Sequence, residues 1–478
     1  MVGFENVQAS LVLGLVAAVV CYLLLVRPSR SIPPKAPPGS FGWPLLGETL
    51  AFLAPHRSNS IGSFIQSRIQ RYGKVFRSHL FGWPTVVSCD LELNTFVLQN
   101  EGKLFSANYP KAMLGILGNQ SILMASGEIH KKMRSVTVGF ANSSRSAPRF
   151  LSWVERLATE MMDRWEEVGQ VEFCKEAKLF GFNVTVKTLL GLTPEEAASK
   201  GILQDFHTFM KGFFSLPINL PGTTYTKAVK ASESLCLKMK KIIEEKRQNL
   251  GKKTDSEGDF LDTIISKGDL NDEEIAIVAI DILFGGYETI ATLMSLIVYF
   301  LPNAPAALSE LTEEHRKIQR EKLAAGEKYL SIRDYKNMDF TLKVINEALR
   351  CGNVIKYVYR KALQDVEFKG YVIPRGWQVL PISTGIHLDP SLHTSPFEFD
   401  PWRWTDEATG KKVTPFGGGI RLCPGAALAQ VETAFFIHHL VLRFSWKVKG
   451  GDCPLSHPYV EFAKGLPLEI QSLNKMMS

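Results

Sequence analysis

The sequence predicts a mainly α fold with minor β: a single large helical domain with small antiparallel sheets, preceded by a membrane anchor. Three observations predict it. An apolar run, "ASLVLGLVAAVVCYLLLV", covers Ala9 to Val26. Helical patterns then dominate from Leu91 to about Arg247, and again from Asn271 through Arg350. After Phe41 no repeat, low-complexity stretch or linker divides the chain. Its 478 residues, 45% hydrophobic, suffice for a large core, although length alone would suggest two or three domains.

The bulk properties remove some function classes. The net charge is +7, and no Lys/Arg run is long enough for a nucleic-acid arm. This excess fits an anionic membrane surface or an acidic protein partner. The seven cysteines are widely spaced with no CxxC pair, which gives zinc and iron–sulfur sites little support. They read as reduced thiols in a reducing compartment.

The apolar run is long enough to span a bilayer. No basic stretch precedes it and no small-x-small site ends it, so a retained anchor is favoured over a cleaved signal. Arg27, Arg30 and Lys35 follow it, which puts the downstream side in the cytosol. The expected organisation is a lumenal N-terminus (1–8), an anchor (9–26), a Pro-rich stiff spacer (27–40) and a cytosolic body (41–478). Sequons at Asn119, Asn142 and Asn183 should then stay unglycosylated.

Within the body, "KVFRSHLFGWPTVVSCD" reads as two short strands around a Gly-Trp-Pro turn. The polar stretch Glu245–Asp259 reads as an exposed loop. Asn271 with Glu274 makes a capping box that opens a long helix running to Pro302. The β-branched residues and turns after Ile355 predict short strands, and a last helix follows Pro424 to about Phe444.

Four stretches carry candidate chemistry. The first is "TPFGGGIRLCPGAALAQ", Thr414 to Gln430. A thiolate at Cys423 would be stabilised by backbone N–H groups and by the start of the following helix. Gly417, Gly418 and Gly419 permit positive φ and the close approach of a flat object. Arg421 offers a cation for that object's anionic edge. An iron porphyrin with propionates needs this combination; a structural turn around a buried cysteine is the alternative. The second stretch, "EALR", sets Glu347 and Arg350 on one helix face, with Arg403 a candidate third partner. The third, "FGGYET", puts two glycines in mid-helix at a cost of about 1 kcal/mol each relative to alanine. Gly285 and Thr289 share a face there, and Glu288 could feed protons. This helix could be a second span or a kinked core helix; Asp281 and Glu288 would be expensive in a membrane. The fourth, "GEIHKKMRS", places His130 and Arg134 at i and i+4, with Arg134 a second cation for the anionic edge.

In this order along the chain, the motifs resemble the cytochrome P450 family of haem-thiolate monooxygenases. F-x-x-G-x-R-x-C-x-G matches Phe416, Gly419, Arg421, Cys423 and Gly425, and E-x-x-R matches Glu347 and Arg350. Small-Gly-x-acid-Thr matches Gly285, Gly286, Glu288 and Thr289, and the family's later arginine matches Arg403 within the less common "PWRW". The resemblance covers essentially the whole chain. It implies haem b with Cys423 as the axial iron ligand, and propionates met by Arg421, Arg134, His130 and Arg360. Phe416 would pack beside the thiolate, with Gly419 and Gly425 completing the cofactor loop. It implies that Thr289 and Glu288 guide protons to dioxygen, and that Glu347, Arg350 and Arg403 form a structural network. It also implies electrons from NADPH through a membrane-bound reductase, and an endoplasmic reticulum location. Ile290 and Gly285 depart from the commoner Thr/Ser and Ala.

Several stretches, "HLDPSLHTSPFEFDPWRW" among them, look most like plant enzymes oxidising sterols and brassinosteroid precursors, in particular steroid C-22 hydroxylases. The alternatives are oxidation of another terpenoid, a haem protein without turnover, and rearrangement of hydroperoxides without a reductase. A sterol needs an apolar wall. The candidates are Met113, Leu114, Ile116, Phe209, Phe213, Phe214, Leu216, Ile282, Gly285, Val354, Ile355, Phe462 and Leu466, each weighed against plain core.

Overall fold

A computed structural model describes Gly14 and residues 33–43, 47–213, 215–249, 259–456 and 459–473. Apart from Gly14, the expected anchor and the residues before it lie outside the described residues. The second half of the expected spacer does not stand clear of the body. Val372 donates to the Lys35 carbonyl (2.8 Å), and Arg77 donates to the carbonyls of Pro38 (2.8 Å) and Pro37 (3.0 Å).

Eleven helices frame the site: α1 (Leu91–Gln99), α2 (Lys111–Leu117), α3 (Gly127–Ser144), α4 (Pro148–Val168), α5 (Phe173–Leu190), α6 (Ile202–Lys211), α7 (Thr224–Asn249), α8 (Asp272–Phe300), α9 (Pro305–Ala325), α10 (Asp339–Gly352) and α11 (Ala426–Arg443). The expected loop from Glu245 is helical as far as Asn249. Lys246 sits there in a nearly buried site against Asp259 and Asp262, so its charge serves packing and not a solvated loop.

Helix α8 opens with the expected capping box. Asn271 Oδ1 accepts from the Glu274 N–H (2.9 Å) and Glu274 Oε2 accepts from the Asn271 N–H (3.0 Å). Between the two readings of this helix, core prevails: 67% of its most apolar stretch is buried inside the protein. Its closest neighbour is α5, where the Gly181 backbone meets the Gly286 backbone and the Thr185 side chain packs on Gly286. A Cβ on Gly181 would lie 2.6 Å from the Gly286 carbonyl oxygen, and one on Gly286 would lie 2.5 Å from Thr185 Oγ1.

Beside the helices lies a five-stranded sheet. Its strands are β1 (Val75–Leu80), β2 (Trp83–Ser88), β3 (Phe105–Ala107), β4 (Arg360–Ala362) and β5 (Gln378–Pro381), in the order β1-β2-β5-β4-β3. The β2–β5 pair is parallel, so this sheet is mixed and not purely antiparallel. The β1–β2 turn is Phe81-Gly82, both at positive φ, with Trp83 and Pro84 already in β2. Two residues at positive φ give the mirror-image turn that matches strand twist, so the expected Gly-Trp-Pro turn moves back by one position. Ala107 and Val379 flank Arg360 in the ladder.

Helices α9, α10 and α11 are joined by a buried histidine pair. Thr341 Oγ1 donates to Glu314 and lies 3.1 Å from His315 Nε2, so Nε2 carries the proton. His315 Nδ1 is then the acceptor for His438 Nδ1–H at 3.0 Å. Burial pushes His315 down from 6.5 to about 3, with His439 adding to the effect, and burial, then His315, hold His438 well below its ordinary value. At these two histidines the unfolded chain therefore binds more protons than the native one below pH 6.5. Urea unfolding should show stability lost as pH falls from 6.5 toward 3, and His315→Gln should make that slope shallower.

Candidate functional site

The loop ahead of α11 folds back on itself: the Cys423 N–H donates to the Phe416 carbonyl (2.9 Å) and the Leu422 N–H to that of Gly419 (3.1 Å). Its three glycines do different work. Gly419, at φ +63°, sits where a Cβ would lie 2.0 Å from the Leu98 carbonyl oxygen, and Gly418 touches the Leu98 side chain. These two make room for α1, a correction to the expectation that all three clear a flat ligand. Gly417, at φ +76°, meets only one backbone oxygen, at 3.9 Å, and a Cβ on Gly425 would meet nothing within 4 Å. Those two glycines leave the loop an open face.

Cys423 is three residues ahead of α11. Burial raises its thiol; the Gly425 N–H and the Arg134 cation oppose that and favour the thiolate. The expected cations converge nearby. Arg134 donates to the Leu422 carbonyl (2.6 Å). Arg421 Nε donates to Glu101 Oε1 (2.7 Å), and its other nitrogens donate to the carbonyls of Ile122 (3.1 Å), Leu123 (3.2 Å) and Ala125 (2.5 Å). Arg360 Nε is 2.7 Å from Glu101 Oε2 at an angle that makes an ion pair and not a hydrogen bond. Arg421 is thus mostly engaged by protein groups, and Arg134 makes the single hydrogen bond just given. His130 is buried among these groups. Burial, then Arg421 and Arg134, push it down to about 4, so it is neutral at physiological pH.

On α8 the Thr289 hydroxyl donates to the Gly285 carbonyl (2.6 Å). A Cβ on Gly285 would meet nothing within 4 Å, whereas Gly286 is held against Thr185. The glycine pair therefore has two causes, an open face and a close helix crossing. Glu288 pairs with Lys178 of α5 (2.7 Å). One turn before Gly285, buried Asp281 accepts from the Ser121 hydroxyl and the Ile122 N–H, each at 2.7 Å. Burial pushes its carboxyl up to about 7 against those two hydrogen bonds.

A cavity of about 430 Å³ lies beside Thr289, walled by Met113, Met210, Phe213, Phe284, Thr292, Val354 and Ile355, with Lys178, His207 and Glu288 also on its lining. Of the expected wall, Met113, Phe213, Val354 and Ile355 are there. The others are placed differently. Leu114 and Leu216 are exposed, while Ile116, Phe209 and Ile282 are core. Leu466 is fully buried, with its N–H donated to Asp452 (2.9 Å). Phe462 lines a neighbouring cavity of about 470 Å³ that shares Glu288 and Lys178. Phe214 lies outside the described residues. Met210, Phe284 and Thr292 were missed. Thr292, at i+3 from Thr289, could have been found by helical spacing.

The third region lies behind the loop. Glu347 takes two hydrogen bonds from Arg350 (2.7 and 2.9 Å), and one each from Arg403 Nε (2.9 Å), Trp404 Nε1 (2.9 Å) and the Asp400 N–H (3.0 Å). Arg350 also donates to the carbonyls of His387 and Pro396, both at 2.7 Å. His387, not anticipated from the sequence, sits 2.9 Å from Asn353 Oδ1 through Nδ1. Its Nε2 accepts from the Thr414 N–H (2.9 Å), the first residue of the cysteine stretch.

Residues 37–465 match the family model for Cytochrome P450. Cytochrome P450 724B1 of Oryza sativa is 48% identical, covering 99% of both chains. A cholesterol 22-monohydroxylase of Paris polyphylla, CYP90B52, is 41% identical over 96% of this chain and 98% of its own. A steroid (22S)-hydroxylase of Oryza sativa is 41% identical over 91% and 88%. Among solved structures, a retinoic acid-bound cyanobacterial CYP120A1 superimposes with TM-score 0.77 at 26% identity, covering 92% of this chain and 99% of that one.

Gly181 of α5 and Gly285 of α8 should respond oppositely to alanine. Gly181→Ala, which forces the α5–α8 crossing apart at Gly286, should destabilise by about 1–3 kcal/mol. Gly285→Ala should stabilise the cofactor-free chain by about 1 kcal/mol, because it restores helix propensity in open space. Urea midpoints of the two variants check both signs.

Proposed function

Because the chain belongs to the cytochrome P450 family, we propose that it is a haem-thiolate monooxygenase that hydroxylates the side chain of a sterol, at C-22 of a phytosterol, brassinosteroid precursor or cholesterol. The observation that carries the chemistry is a lone thiol, Cys423, at a loop face opened by Gly417 and Gly425 and flanked by guanidinium groups. Among the described residues no cluster of three His, Cys, Asp or Glu side chains could hold a bare ion. One sulfur suits a metal that brings its other ligands with it, so the residues fit an iron porphyrin. Support for a C-22 sterol substrate comes from the relatives named as cholesterol or steroid 22-hydroxylases.

Haem b held through Cys423 would supply dioxygen activation. The protein supplies the rest. Arg134 and neutral His130 would hold the anionic edge of the cofactor, backed by Arg421 and Arg360, while Phe416 would pack beside the thiolate. The Thr289 hydroxyl, now on the Gly285 carbonyl, can hold a proton at the open face of α8. Glu288, borne by Lys178 at the shared rim of two cavities, can pass protons inward from solvent. Met113, Phe213, Phe284 and Val354 orient an apolar ring system and exclude water.

Electrons would come from NADPH through a membrane-bound flavoprotein reductase. The chain would be a single-pass protein of the endoplasmic reticulum, with residues 1–8 lumenal, 9–26 spanning and 41–478 cytosolic. Leu216, Ile218 and Leu220 are exposed on one proline-flanked segment, which supports a second, peripheral contact with lipid.

The reduced protein should show the red-shifted carbon monoxide band of thiolate-ligated haem, and Cys423→Ala should abolish it. Co-expressed with a reductase in yeast microsomes and fed campesterol, cholesterol and a triterpene, the chain should yield a side-chain-hydroxylated sterol by mass spectrometry. Exclusive oxidation of the triterpene would sink the sterol reading, and no product from any feed would favour a haem protein without turnover. In the same assay Thr289→Ala should lower product about 100-fold, the lower range for a lost proton donor.

A further inference from the structure

Glu101 lies outside every motif that points to the cofactor, yet it stands at the centre of the cationic cluster. It follows α1 by two residues and is 5% exposed. Its Oε1 accepts from Arg421 Nε (2.7 Å) and from the Ala107 N–H (3.0 Å), and its Oε2 is 2.7 Å from Arg360 Nε. Arg360 is 2% exposed. A guanidinium so buried is costly unless a partner offsets its charge. Glu101 offsets two of them at once.

We infer that Glu101 is the built-in counter-ion that positions Arg421 and Arg360 before any cofactor binds and sets the charge of the site that receives it. This rests on the haem reading above. Arg360 and Arg421 pair with this one carboxylate, and Arg134, bonded to the Leu422 carbonyl, is close enough to Arg421 to feel its charge; three cations against one carboxylate leave two net positive charges. A porphyrin with two propionates brings two negative ones. Without Glu101 the cluster would repel itself when empty and would be over-charged when filled. The carboxylate also acts at range: Arg421, fixed at Nε, turns its remaining donors to the carbonyls of Ile122, Leu123 and Ala125. Glu101 is therefore a positioning residue and touches no reacting atom.

The test uses the full chain as Glu101→Gln, Glu101→Asp and the double variant Glu101→Gln/Arg360→Gln. Three quantities are read: thermal unfolding of the cofactor-free chain, haem transfer to excess apomyoglobin, and the reduction potential. Glu101→Gln should unfold earlier, lose haem at least about tenfold faster and shift the potential upward, because a negative charge is gone. Glu101→Asp should stay near the parent. The double variant restores the net charge and should return the potential toward the parent value. Parent-like behaviour of Glu101→Gln in all three readings overturns the inference. So does a double variant no better than the single, which would make the effect one of packing. A parent chain that takes up no haem would sink the functional reading instead, and the unfolding comparison alone would then decide the role of Glu101.

Discussion

The Glu347 carboxylate is the constraint on which the back of the site depends. It is wholly buried, so its charge must be met inside the protein. It is met by Arg350, Arg403, the Trp404 indole and the Asp400 backbone, with the Cys351 thiol as a weaker fifth donor. Burial would raise its pKa, yet it is held below the usual range by hydrogen bonds from Arg350 and by the two arginines. Arg350 then reaches the carbonyls of His387, Pro396 and Glu398. The stretch from 387 to 404 has little regular structure, so these contacts replace a strand ladder as its support. Through His387 and Thr414 the same support reaches the start of the cysteine loop.

The front of the site is organised by a second carboxylate logic. Segment 121–125 is gripped from both sides. Asp281 of α8 takes two of its donors, and Arg421 of the cysteine loop takes three of its carbonyls. The segment therefore couples the helix that carries Thr289 to the loop that carries Cys423. A backbone stretch with both its donors and its acceptors paired in this way needs no regular structure to be ordered.

Much of this was legible from sequence where chemistry is local. Glu347 and Arg350 are three residues apart on a helix, and the Asn271–Glu274 box is likewise local. The large helical body, the course of α8 and the last helix followed from apolar spacing. What was not legible is what distant residues do to one another. Glu101 meets Arg421 across 320 positions, and Asp281 meets Ser121 across 160. No pattern in the chain marks either pair. The glycines show the same limit. Composition flagged Gly418, Gly419 and Gly286 as gaps, but the bodies filling them, Leu98 and Thr185, belong to other helices. The apolar wall was half legible because core and cavity residues share one vocabulary, and only packing separates Phe213 from Phe209.

The docked proline segment would set the length of a leash if the proposed anchor holds the membrane. Lys35 and Pro37 are already fastened to the body. With the proposed anchor ending at Val26, residues 27–34 are all that separate the two, and eight residues span at most about 28 Å. A body on so short a tether could not tumble as a free protein does. It would search for a sterol and for an electron donor in two dimensions, with one hemisphere always toward the lipid. Encounter rates would then follow lateral diffusion and surface density, and bulk concentration would matter little.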